Sequence, residues 1–175
     1  MRETWFTGKL VTANGIPGKH RAQWLYGAHG VAMNGEGLGA DGRYYRFAGP
    51  YDDGWVNAAG RPTYGCWTGH WSDGLPARVA DPSVARFTLG RSAFPFWKTV
   101  AVDRHLVPTG SRVFIRAYCD TPAHGWFTAL DTGGAIVGVH FDVYRAPPKT
   151  LVLRSFHDQK VYVVPPGTKG KPLTC

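Results

Sequence analysis

Ala129-Leu130-Asp131-Thr132-Gly133-Gly134-Ala135-Ile136-Val137-Gly138-Val139-His140-Phe141-Asp142-Val143-Tyr144 sets two aspartates eleven residues apart across a glycine-rich turn in otherwise apolar sequence. Ala129 and Leu130 lead into Asp131, and Phe141-Asp142-Val143-Tyr144 alternates as a strand does. Thr132-Gly133-Gly134 can supply a turn with positive φ. Both acids are therefore expected at strand ends or on a barrel face, and carboxylates in such apolar company suggest chemistry. Upstream, Thr99-Val100-Ala101-Val102-Asp103-Arg104-His105-Leu106-Val107-Pro108-Thr109-Gly110-Ser111-Arg112-Val113-Phe114-Ile115 reads as strand, Asp-initiated turn, Pro-Thr-Gly turn and second strand. It brings in a third acid, Asp103.

The rest of the chain agrees with a β architecture. Its 175 residues suit one domain with a real core, and 23 glycines, 13 prolines, 7 tryptophans, 8 tyrosines and 9 phenylalanines argue for an all-β barrel or sandwich with many turns. A net charge of +8 implies attraction to polyanions: nucleic acid, anionic membrane surfaces or an acidic bacterial wall. Solubility charge spread over the surface explains it equally, and the one cluster, Lys169 and Lys171, lies in a Pro/Gly-rich tail. No nucleic-acid recognition motif is present, so a nucleic-acid partner is not expected. No apolar run approaches the roughly 18 residues of a membrane span, and residues 1–5 open on folded-type sequence rather than a signal peptide.

Residues 1–12 read as a first strand. Val31-Ala32-Met33 is expected to pair with Arg43-Tyr44-Tyr45-Arg46-Phe47 in a hairpin. Residues 48–92 read as a long excursion carrying Trp55, Trp67 and Trp71, whose rings could line a glycan groove or simply fill the core. Asp81 could cap a short helical turn. Residues 150–154 and 160–164 read as strands, with a tail from Pro165. Of the three cysteines, Cys66 and Cys119 are the preferred disulfide pair, because Cys175 ends the tail.

Val-Ala-Val-Asp, the Pro-Thr-Gly turn, Ala-Leu-Asp-Thr-Gly-Gly-Ala-Ile-Val-Gly and Phe-Asp-Val-Tyr together resemble the 3D domain, named for its three aspartates. That domain occurs in membrane-bound lytic transglycosylase A and in short bacterial muralytic proteins. The resemblance spans residues 94–146. It implies a six-stranded double-psi β-barrel, placed here as one domain over 1–165 with the tail at 166–175. It also implies a peptidoglycan lytic transglycosylase without cofactor, secreted or in the cell envelope, and a monomer is expected. By that resemblance Asp142 takes the place of the catalytic acid/base, with Asp131 as the second acid tuning it. Asp103 takes the place of the third, holding the turn or contacting substrate. Thr132, Gly133, Gly134, His140, Tyr144, Lys98, Trp67 and Trp71 are the supporting or substrate-binding candidates. Val137 stands where the family motif carries lysine, so a cation expected beside the site is missing there; Lys98 could restore a charge or face solvent.

The chemistry such a site would perform is specific. Lytic cleavage of the MurNAc–GlcNAc β-1,4 bond needs one carboxyl that protonates the leaving oxygen and then takes the proton of the C6 hydroxyl. A two-carboxylate glycosidase instead uses its second acid as nucleophile or as base for water. A carboxyl acting as acid near neutrality must have its pKa raised above about 3.9 by desolvation or a like charge. Other readings stay open: a non-catalytic wall- or polysaccharide-binding barrel of expansin-like type, a β-glucan endoglucanase, or an aspartic protease, since Leu130-Asp131-Thr132-Gly133 contains that tripeptide. The seven histidines lack ligand spacing, so no metal is expected.

Overall fold

The computed structural model describes residues 1–27, 29–49, 82–133, 136–150, 155–170 and 173–175. Among them strands dominate and helices are short, so the chain is all-β in class. Trp55, Trp67, Trp71, Cys66, Asp81 and residues 151–154 lie outside the described residues. The chain divides into two compact units, Met1–Ser92 with Pro147–Leu151 and Ala93–Ala146 with Val152–Cys175, where the sequence suggests one barrel over 1–165.

In the first unit, strands β1 (Leu10–Val11) and β2 (His20–Arg21) pair as a short ribbon, followed by helices α1 (Ala22–Tyr26) and α2 (Val31–Asn34). Strands β3 (Glu36–Leu38), β4 (Tyr44–Gly49) and β5 (Arg86–Leu89) form an antiparallel sheet. Alternation along β4 turns Tyr45 and Phe47 inward, onto a core of Trp24, Leu25, Tyr26, Val31 and Phe87.

Two expectations are corrected here. Residues 1–12 are not one strand: Glu3–Trp5 is a 3₁₀ turn, and the strand within them is Leu10–Val11. The cause is the Glu3 carboxylate, which is 3 % exposed and accepts hydrogen bonds from the Arg21 and Ala40 amides at 2.7 and 2.9 Å, with His20 Nδ1 at 3.0 Å. A buried charge needs such partners, and they draw the segment inward. Val31-Ala32-Met33 is helix rather than strand; Gly35, at φ +78, ends it, and the hairpin partner of β4 is β3. Within the expected excursion at 48–92, Arg86–Leu89 is a regular strand.

The second unit carries the signature. Strands β6 (Thr99–Ala101), β7 (Arg112–Ile115), β8 (Trp126–Asp131), β9 (Asp142–Val143) and β10 (Val161–Val164) form one sheet in the order β10-β7-β8-β6-β9. The β6–β8 pair is parallel and the other pairs are antiparallel. The turn after Asp103 is as expected, with the Leu106 and Val107 amides bonded to its carbonyl. Val100, Val102, Val113, Ile115, Phe127, Ala129 and Val143 form the core beneath the sheet. Among the described residues the ladders do not close into a ring.

The tail is not free. Cys119 is bonded to Cys175, replacing the expected Cys66–Cys119 pair, and Trp126 Nε1 donates to the Leu173 carbonyl at 3.0 Å.

Candidate functional site

Strand β6 lies between β8 and β9, and the same residue, Ala101, is the register partner of Asp131 on one side and Asp142 on the other. Neighbouring strands lie about 4.8 Å apart, so the two aspartate backbones stand roughly 10 Å apart with their side chains in one cross-strand row.

The row depends on an irregularity in β8. Val100 pairs with Ala129, and a regular ladder would then set Leu130 against Ala101; a register shift puts Asp131 there instead. The extra residue of a β-bulge re-aims the side chains beyond it. Leu130 is left 37 % exposed, and Asp131 joins the row of Asp142. On β9 the alternation is simple: Val143 pairs with Val100 over the core, so Asp142 takes the other face.

Both carboxyls are pushed above the ordinary carboxylate range. For half-buried Asp131 the main cause is desolvation, opposed by the Thr132 amide, which donates to Oδ1 at 2.8 Å, and by the Arg104 charge. Asp142 has an open solvent-facing side, yet crowding by surrounding protein still desolvates it and raises it. The negative charge of Asp131 raises it further, while His140 and Arg145 pull the other way. The charge of Asp131 thus reaches Asp142 across Ala101.

Asp103 is held low. Its Oδ2 accepts the Gly138 amide at 2.8 Å and its Oδ1 accepts the His105 amide at 2.9 Å. These two backbone donors favour the ionised form, with a smaller contribution from the His105 charge. Asp103 also sits two residues beyond Ala101, where the Val102 amide bonds the Asp131 carbonyl at 3.1 Å. All three acids therefore gather at the exit of β6.

The supporting candidates divide. Thr132 meets Asp131 through its amide, and the Gly133 carbonyl accepts the Ile136 amide at 2.9 Å. Of the turn expected at Thr132-Gly133-Gly134, Gly134 lies outside the described residues; a positive φ, +66, is found at Gly138. His140 is exposed and acts on Asp142 by charge, so it is not a core histidine. The Tyr144 ring packs on Phe96 and Phe94, with centroids 5.0 and 6.2 Å away. Lys98 is exposed just before β6, three residues and so about 10 Å of strand from Ala101. Arg104 and Arg145, not Lys98, are the basic residues whose charges reach the acids, together with His140. Sequence reasoning missed both arginines; adjacency to Asp103 and Tyr144 was the available signal.

Among the described residues no three His, Cys, Asp or Glu side chains assemble as metal ligands. A depression of about 400 Å³ in the first unit, lined by Asn14, Gly15, Ser83, Val84 and Arg86, has no carboxylate among its lining residues. Among the described residues, the row over Ala101 is where raised acids, open solvent and flanking cations coincide.

Comparison with known proteins gives partial matches. The "Cell wall-binding protein YocH" of Bacillus subtilis (strain 168) is 44 % identical over 50 residues, which is 29 % of this chain and 15 % of the relative. No solved structure matches the chain. Residues 98–150, which set all three aspartates, match the family model of the 3D domain.

Proposed function

We propose that the second unit acts on bacterial peptidoglycan as a lytic transglycosylase, with Asp142 as its single acid/base. The observation that carries this reading is the pairing of Asp131 and Asp142 with the same residue, Ala101, with both carboxyls raised and the charge of Asp131 acting on Asp142. The 3D-domain match and the relative named for wall binding support the wall as partner. Protonated Asp142 donates to the glycosidic oxygen as the C1–O4 bond breaks. The resulting carboxylate then takes the C6 hydroxyl proton as O6 bonds C1, which regenerates the acid and gives the 1,6-anhydromuramoyl product with no water consumed. Desolvation shifts Asp142 toward the protonated form this step needs and the Asp131 charge adds to it, while Arg104 and Arg145 limit the cost of holding two acids together. A double-psi barrel is the fold we propose for this unit, with β6 to β10 as its described strands. The Cys119–Cys175 disulfide fits an oxidising, extracytoplasmic location.

A second reading, wall binding without cleavage, is favoured by the relative's name alone. Digestion of purified murein separates the two. Soluble muropeptides ending in 1,6-anhydromuramic acid, lighter by one water than hydrolytic products, are expected by mass spectrometry. Reducing muramic ends as the sole product would make the enzyme a hydrolase, and binding without release would leave the binding module.

A further inference from the structure

The segment between the two acids is held by a third. Val137 is 68 % exposed and Val139 87 % exposed, and Gly133 and His140 are exposed too, so little apolar packing fixes residues 136–140. Midway along it, the Gly138 amide points at Asp103 Oδ2, 35 residues away in sequence, at 2.8 Å. The positive φ of Gly138, +66, is a conformation that L side chains rarely adopt, and it belongs to the turn that presents this amide. The other Asp103 oxygen is tied to the His105 amide at 2.9 Å, and the Asp103 carbonyl accepts the Leu106 and Val107 amides at 3.1 and 2.9 Å. One end of the Gly138 bond is therefore rigid and the other lies in a loosely packed turn.

We propose that Asp103 is a positioning residue: its carboxylate clamps the Gly138 turn and so holds His140 and Asp142 in place beside Asp131. Two facts carry this beyond turn formation. The carboxylate spends one oxygen on its own turn and the other on a distant segment, whereas a turn former needs only the first. The clamped segment runs, four residues on, into Asp142 at the start of β9, a strand of two residues whose pairing with β6 is short. Fixing the approach to so short a strand fixes the acid it carries. Released, the segment would open to water and Asp142 would lose part of the desolvation that raises it.

The test uses the full chain with Asp103→Ala and Asp103→Asn. Alanine removes both acceptors. Asparagine keeps the size and one acceptor oxygen, so it remains informative should the alanine variant fail to fold. Amide exchange by NMR should show Gly138 losing at least about tenfold protection in Asp103→Ala, and less in Asp103→Asn, while core amides of β7 and β8 keep theirs. The carboxyl ¹³C titration of Asp142 should move toward the ordinary carboxylate range in both variants. This inference rests on the catalytic reading only for its kinetic arm, in which kcat on murein should fall with KM little changed. Wild-type protein that releases no muropeptides would overturn the proposed activity and leave the clamp to the two NMR measurements. Unchanged Gly138 protection, or an unmoved Asp142 titration beside a lowered melting temperature, would overturn the clamp and return Asp103 to a turn former.

Discussion

The proposed chemistry asks for an acid at Asp142, and desolvation, with the charge of Asp131 adding to it, shifts the carboxyl in that direction. General acid catalysis needs the protonated form, so activity should hold at low pH and fall as pH rises through the raised value. Asp142→Asn should cost about 10²- to 10⁴-fold in murein cleavage, because the amide can neither give the proton nor take it back. Asp131→Asn removes a like charge, so Asp142 ionises more easily and the alkaline limb of the pH–rate profile should move to lower pH; a limb that stays put would uncouple the pair. Stability carries the same sign. A raised acid favours the fold when protonated, an effect complete below about pH 3.9 and lost as pH rises through its folded value. Asp142→Asn should therefore melt no lower than wild type at pH 7 and lose any advantage in mild acid. For Asp103 the sign reverses, its contribution being present above about pH 3.9 and lost as pH falls through its lowered value. The three acids were legible in the sequence because strand alternation and turn chemistry are local. Arg104 and Arg145 were not, because their charges reach the acids only once β6, β8 and β9 lie side by side.

Local pattern also set which strands could be read. β6, β7 and β9 fall within the segments where alternation and turn residues put them, and Ala129 and Leu130 lead into Asp131 at the end of β8. The bulge at Leu130 left no trace in the sequence, although it decides the row in which Asp131 stands. The first unit was harder to read for the opposite reason: a buried carboxylate, Glu3, and a helix-ending glycine, Gly35, outweigh the apolar runs beside them. One glycine shows how tightly the second unit is built. Gly125 precedes β8 at φ +75, and a Cβ there would approach Phe114 Cε2 to 2.6 Å. Gly125→Ala should thus combine backbone strain with overpacking and cost about 1–3 kcal/mol, read as a lowered denaturant midpoint with unchanged slope. Gly138→Ala meets no atom within 4 Å, so only its φ of +66 opposes it and the loss of stability should be smaller.

Over the whole chain the largest departure from the sequence reading concerns the C-terminus. Cys66–Cys119 and Cys119–Cys175 close loops of nearly equal length, so chain entropy cannot choose between them, and composition made the end look loose. Contact between distant segments decides: the end of the chain returns to the second unit, where Leu173 accepts the Trp126 indole and Cys175 reaches Cys119. A bond across a sequence separation of 56 restricts the unfolded chain strongly, and its removal should cost about 2–4 kcal/mol. Cys175→Ser, or wild type in reductant, should therefore unfold several degrees lower, with faster amide exchange in β7 and β8. Trp126→Phe keeps part of the ring packing on Phe114, loses the indole bond and weakens the stacking of Arg112, whose guanidinium lies 4.3 Å from the ring centroid, so about 1–2 kcal/mol is expected. If Cys175→Ser melts with wild type while Trp126→Phe does not, the indole contact alone anchors the tail, and the disulfide's contribution lies in the compartment it reports rather than in the stability of the fold.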